Sequence, residues 1–273
     1  MKRILAGGFI AFFAATASYA ADMGARVVTK APAPVPYESW TGFYVGGQLG
    51  GRWSDSTWTT YALSDPINPV SNVRLPQGNP ASFDSSSIRA GGYLGYNWQF
   101  APAWVLGIEG DVAWGDGKKS LAGIPGTWTP GTPAATIALD GSSVQLGWDA
   151  AIRGRLGWLV TPSVMLFGTG GVSWQDVSVN ASCQPAGGWA CGTPRNTTIN
   201  TVKTGWTAGG GIEAKIAANW LARVEYRYAD YGSTNYLFFP GTGDAVHLTH
   251  DLRTHAVSVG VAYQFGGPVV ARY

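Results

Sequence analysis

The chain has 273 residues, 45% of them hydrophobic and only 12% charged, with a formal net charge of +2. An average soluble domain carries about 25% charged residues. Glycine reaches 39 residues, beside 16 Pro, 13 Trp and 12 Tyr. That many helix breakers exclude a mainly helical protein. The aromatic content excludes disorder, and the small net charge argues against a nucleic-acid partner.

The N-terminus reads as a targeting segment. Lys2 and Arg3 precede an apolar stretch from Ile4 to Thr16, and Ser18 and Ala20 place small residues at the −3 and −1 positions of a cut after Ala20. Residues 1–20 are therefore expected to be a secretory signal peptide; a membrane anchor is the alternative, against which the short apolar stretch argues. Without Lys2 and Arg3 the chain's 18 basic residues fall to 16, which balances its 16 acidic ones. Residues 21–39, with Pro32, Pro34 and Pro36, read as a Pro/Ala-rich periplasmic tether. No later run of about 18 apolar residues marks a membrane helix. Cys183 and Cys191 lie close together, and export favours a local disulfide between them, with two free thiols as the alternative.

From residue 40 a period of two runs through eight blocks. They are Gly42–Trp53, Ser87–Phe100, Trp104–Trp114, Val144–Val160, Val164–Ser178, Thr201–Ile216, Trp220–Tyr231 and Leu252–Phe265. In the first, Phe43, Val45, Leu49 and Trp53 alternate with Tyr44, Gln48 and Arg52; in the fourth, Leu146, Trp148, Ile152, Leu156 and Trp158 oppose Asp149, Arg153 and Arg155. Such alternation predicts strands. They exceed the roughly 5–6 residues usual in globular sheets and suit the 9–11 residues of a tilted membrane strand. Residues 101–103, 161–163 and 217–219 form tight turns, whereas 54–86, 115–143, 179–200 and 232–251 read as long polar loops. The expected fold is all-β, an eight-stranded antiparallel up-and-down transmembrane β-barrel. Short periplasmic turns and long extracellular loops mark such barrels in outer membranes.

Aromatic spacing supports a membrane setting. Phe43 and Trp53, Trp104 and Trp114, and Trp148 and Trp158 are each ten residues apart. Ten residues cover roughly 33 Å of strand, or roughly 25 Å of height at a tilt of about 40°. One girdle is expected from Phe43, Trp98, Trp104, Trp158, Trp220, Tyr263 and Phe265, and a second from Trp53, Trp114, Trp148, Trp174, Trp206 and Tyr228. A soluble eight-stranded barrel with its apolar face turned inward is the competing fold. The signal peptide, the girdles and the unequal connections favour lipid outside.

Trp40-Thr41-Gly42-Phe43-Tyr44-Val45-Gly46-Gly47 resembles the first strand of the small porin-like outer-membrane proteins of alphaproteobacteria, surface antigens of the opacity-type barrel group. Leu166–Trp174, Gly205–Glu213 and Trp220–Asp230 look like later strands of that family, and Ser258–Phe265 like its closing strand. The resemblance spans residues 40–265. It implies an assembly signal read by the barrel-assembly machinery at Gly260, Tyr263 and Phe265, and the residues 266–273 depart from it as a short C-terminal extension. Because the family has haemin-binding members, it also offers His247 and His250 as haem candidates, with no other cofactor expected.

The inward set holds Arg52, Arg89, Arg153, Arg155, Lys215, Arg223 and Arg227 against Glu109, Asp111, Asp149, Glu213 and Glu225. A network of ion pairs and water filling a narrow lumen is the first reading, and a selective pore the second. Eight strands leave room only for side chains. His255 and Ser258 could suggest nucleophilic chemistry, but three residues apart on a strand they face opposite ways, so no enzyme is expected. The expected role is structural and surface-interacting, in the outer membrane of a Gram-negative bacterium. Small-solute transport, haem binding and lipid modification are the alternatives. Expected partners are outer-membrane lipids and lipopolysaccharide, together with host or phage ligands at loops that carry Trp58, Tyr61, Trp128, Trp189, Tyr236, Phe238 and Phe239.

Overall fold

A computed structural model describes residues 39–64, 79–128 and 130–265. The signal peptide, nearly all of the tether and the extension 266–273 lie outside the described residues.

The predicted blocks are strands, and most are longer than expected. β1 (Gly42–Leu63), β3 (Ser85–Ala101), β4 (Trp104–Gly115), β6 (Gly141–Thr161), β7 (Val164–Cys183), β8 (Arg195–Ala217), β9 (Trp220–Phe238) and β10 (Val246–Phe265) form the wall. Two short pieces, β2 (Ala81–Ser82) and β5 (Gly117–Ala122), and one helical turn, α1 (Ala134–Ile137), lie between them. Neighbouring strands pair antiparallel in the order β10-β9-β8-β7-β6-β4-β3-β1, and β1 pairs with β10 from Phe43↔Phe265 to Leu63↔Val246, so the ring closes. Closure removes the edges an open sheet would leave unpaired.

The three tight turns stand at one end, between β3 and β4, β6 and β7, and β8 and β9. At the other end the strands continue well into the expected loops. β1 runs ten residues past Trp53, β8 starts six residues before Thr201, and β9 and β10 extend to Phe238 and back to Val246. Strand pairing continues where the chain alternates, whether or not the outer face is apolar: to both neighbours along β7 and β10, and to one neighbour along the outer ends of β8 and β9.

Between the girdles the faces fall as the alternation predicts. Phe43, Ile88, Trp114 and Trp206 are exposed, whereas Tyr44, Arg52, Arg89, Glu109 and Arg153 are buried. Trp104 pairs with Trp158, and Trp220 meets Tyr263 edge to face at 5.4 Å. At the other level, Trp206 and Tyr228 lie 5.3 Å apart, and Trp53 stands opposite His255.

Leu146 departs from the expected face. The β6–β7 register shifts between Leu146 and Asp149, so both point inward while Trp148 stays outward. This bulge turns the carbonyls of Leu146 and Gly147 toward Arg52, which donates to each at 3.0 Å. A second bulge lies in β9, where Gly232 adopts φ +58° and the inward parity passes from Tyr231 to Tyr236. A side chain there would be strained.

Beyond the outer girdle the polarity of the two faces inverts. On β7, Val177, Val179, Ala181 and Cys183 point inward, and Asp176, Ser178, Asn180 and Ser182 outward. On β10, Val246, Leu248 and Leu252 are buried while Thr249, Asp251 and Arg253 lie outside. One half of the wall is thus built for lipid and the other for water.

Candidate functional site: a filled interior and a folded roof

Three layers occupy the barrel. The floor, at the tight-turn end, packs Trp40, Tyr44, Tyr93, Val105, Met165, Phe167, Leu221 and Ala262. Trp40 is fully buried and is held by polar bonds: its Nε1 donates to the Pro162 carbonyl at 2.9 Å and its backbone N–H to Gln99 Oε1 at 3.0 Å. Lys215 belongs here rather than with the other inward charges. Its ammonium lies 5.2 Å from the Trp40 ring centre and donates to the Ser39 carbonyl at 2.9 Å.

The middle layer is a belt of ion pairs. Asp149 accepts from Arg89 at 2.6–3.0 Å, from Arg227 at 2.5 Å and from Arg52 at 3.3 Å. Asp111 accepts from Arg89 at 2.9 Å and Arg227 at 2.8 Å, and Arg153 lies at 3.1 Å. Toward the floor, Glu109 accepts from Arg153 at 2.7 Å, Arg223 at 2.5 Å and the Tyr44 hydroxyl at 2.8 Å. Glu225 bonds Arg153, and Glu213 accepts from Arg155 at 3.2 Å. Arg223 stacks on Tyr93 at 3.5 Å, and Arg155 on Phe167 at 4.4 Å. The planar guanidinium suits both tasks, because its fixed fork meets several carboxylates while its face lies on a ring. Charges buried this deeply persist only when paired, and here each carboxylate has its arginine.

The roof is a second hydrophobic core, built mostly from segments expected to be loops. Trp58 is sandwiched between Phe83 and Phe238, with ring centres 5.4 and 5.6 Å away. Trp189, Tyr236, Phe239, Ile124, Leu146, Val177, Val179, Val246 and Leu248 pack around them. Trp58 Nε1 donates to Thr60 Oγ1, which donates to the Pro125 carbonyl at 2.6 Å. Cys183 and Cys191 are joined and buried in this core. Two aspartates from other connections hold the segment they close. Asp140 accepts from the backbone of Gln184 and Trp189, both at 2.8 Å. Asp244 accepts from Arg195 at 2.7 Å, and its carbonyl accepts from Trp189 Nε1 at 3.0 Å. Period-two runs such as Val177-x-Val179-x-Ala181 carried the signal for this core, with inside and outside exchanged.

The three histidines occupy different settings. His250 is fully buried in the roof, not a solvated loop residue. Its Nε2 lies 2.8 Å from Ser56 Oγ, and Lys203 donates to its carbonyl at 2.6 Å. Burial, and secondarily Lys203, push its imidazole down to about 3. His247 faces outward near Tyr61, with ring centres 6.0 Å apart. The two therefore stand on opposite sides of β10, and the buried Nε2 of His250 is engaged by Ser56. These residues do not fit a haem. His255 lies on the outer girdle beside Tyr226 and Tyr228, whereas Ser258 points inward to Gln48.

A closed antiparallel ring, apolar outside between two aromatic girdles and paired charges inside, defines an integral outer-membrane β-barrel. The family model of the outer membrane protein beta-barrel domain matches residues 8–265, and the chain belongs to that family. It is 30% identical to the 31 kDa outer-membrane immunogenic protein of Brucella melitensis, over 97% of this chain and 100% of the relative. It is also 28% identical to the 22 kDa outer membrane protein of Rhizobium leguminosarum, over 85% of this chain and 82% of that one. Among solved structures, Neisserial surface protein A aligns over 82% of this chain and 98% of its own, at 13% identity and a TM-score of 0.40. The protein is thus located in the outer membrane, and its three tight turns at one end match the short periplasmic turns of such barrels.

Proposed function

We propose that this barrel is a closed structural protein that displays a rigid folded surface outside the cell, and that it is neither a channel nor an enzyme. The observation that carries this reading is the filling of the interior at three successive levels. A conducting pore needs a continuous wet path, and here floor, belt and roof each place buried side chains across it. The belt sets six arginines against five carboxylates in direct contact, so it offers no ring of uncompensated charge to select an ion. The immunogenic relatives support a surface-displayed role by their names. Outer-membrane lipids and lipopolysaccharide would meet the outer wall, and host or phage ligands the roof. Gly260, Tyr263 and Phe265 of the closing strand would be read by the barrel-assembly machinery. The test is single-channel recording of the purified protein in planar bilayers. Flat traces are expected, and stable, reproducible conductance steps would overturn the closed-barrel reading.

A further inference from the structure

Outside the membrane the wall is not paired throughout: among the described residues β8 and β9 part above Trp206↔Asp230, and a second seam opens beside β5. Between the girdles, β4 pairs with β3 on one side and β6 on the other, but the β3–β4 ladder ends at Arg89↔Gly115. Past Asp116 the chain continues as β5, and among the described residues β5 pairs with β6 alone. Across the seam the start of β3 brings Ser85 and Ser87 toward Gly117, and β2, the short piece before it, pairs among the described residues only with β1. Among the described residues, Gly117–Ala122 thus have one backbone edge without a ladder partner, just above the girdle residue Trp114. Unpaired N–H and C=O groups in an extended row are a template for an added strand.

The side chains on that edge specify what could add. Lys118 and Lys119 are both exposed, and among the described residues neither has a carboxylate partner. Among the described residues, half-buried Arg195 is paired with Asp244 at 2.7 Å and exposed Arg253 with Asp230 at 3.3 Å. Consecutive strand residues point to opposite faces, so a strand beside Lys118 and Lys119 satisfies both only with a carboxylate on each face. That requires two acidic residues in succession. A second copy of this chain is a poor occupant, because pairing two such edges sets lysine near lysine. Lipid phosphates would use the lysines but leave the backbone edge unused.

We propose that the β5 edge binds an extended segment of another protein carrying two consecutive acidic residues, which joins the wall as an added strand. This rests on the reading of a structured, extracellular wall, yet its test is independent of conductance. The full-length protein in nanodiscs is titrated with a fluorescent hexapeptide, Thr-Thr-Glu-Glu-Thr-Thr, and anisotropy and backbone hydrogen exchange are followed. Binding is expected, with new protection confined to amides of residues 117–122. It should weaken roughly tenfold or more in K118E/K119E, as reversed charges oppose the peptide. A peptide with its glutamates separated by one residue should bind more weakly. Retention of the heat-dependent gel shift shows that the variant is folded, and the wild-type exchange pattern decides the matter even where it is not. Equal binding by the variant, binding without protection of β5, or lysine-dependent binding only to lipopolysaccharide vesicles would overturn the proposal.

Discussion

Individual buried polar groups in this barrel have two kinds of solution. Arg153 is pinned by three carboxylates on two strands, Glu109 and Asp111 on β4 and Glu225 on β9, so its charge is neutralised where it is buried. His250 is solved in the opposite way: it is held neutral. Its surroundings are Ser56 at 2.8 Å, the Tyr236 ring at 6.2 Å and the Lys203 ammonium on its own carbonyl, with Asp251 next in the chain turned outward. A depressed folded-state pKa means that the unfolded chain binds the proton more readily. The stabilisation is therefore full above the ordinary value of 6.5 and declines as pH falls toward about 3. In urea titrations followed at the roof, lowering the pH from 6.5 to 5.5 should cost the wild type about 1 kcal/mol. His250→Gln, which can keep the bond to Ser56 without titrating, should show a flatter pH dependence. Equal slopes in the two proteins would place the proton-linked group elsewhere.

At the scale of single elements, each long strand carries two opposite patterns on one backbone. On β1, Phe43, Val45, Leu49 and Trp53 face lipid, and five residues after the last of these Trp58 faces the interior. Alternation of polarity made the membrane segments of all eight strands legible in the sequence, together with the inward direction of the eleven charged residues that form the belt. Lys215 was misplaced by parity alone: it points inward but stands at the periplasmic mouth, where Trp40 and Ser39 receive it. The roof was not legible, for a physical reason. An apolar-out rule suits lipid, and above the girdle the same parity must turn apolar side chains inward to escape water. Bulges near Gly147 and Gly232 break the phase as well, and the partners of Asp140 and Asp244 come from distant connections. Trp58 tests whether this region is a true core. Trp58→Ala should destabilise the roof by about 3–5 kcal/mol, since a fully buried indole leaves a cavity and Thr60 loses a donor. Its effect should appear as faster hydrogen exchange in the ends of β1, β9 and β10 with no change between the girdles. Unchanged exchange in those ends would return residues 54–63 and 232–251 to the status of solvated loops.

The whole molecule places its two cores in different solvents, and their stabilities should separate. Between the girdles the ring is closed by continuous pairing, and the lipid around it offers no alternative partner to a broken backbone bond. Outside, the roof rests on burial of rings and aliphatic chains against water, and among the described residues its wall lacks pairing along one side of β5 and between the outer ends of β8 and β9. Local opening follows the weaker part of a structure. Rising urea should therefore unfold the molecule in two steps. The first would expose Trp58 and Trp189 and release the backbone of residues 54–63, 177–199 and 231–251. The second would dismantle the membrane barrel and abolish the heat-dependent gel shift. Reduction of the Cys183–Cys191 bridge should move the first step to lower urea and leave the second in place, because the bridge lies wholly in the roof. Tryptophan emission, exchange and the gel shift distinguish the steps. A single transition seen alike by all three would mean that the belt and the roof are one cooperative core, and that the outer girdle marks a change of solvent without a change of folding unit.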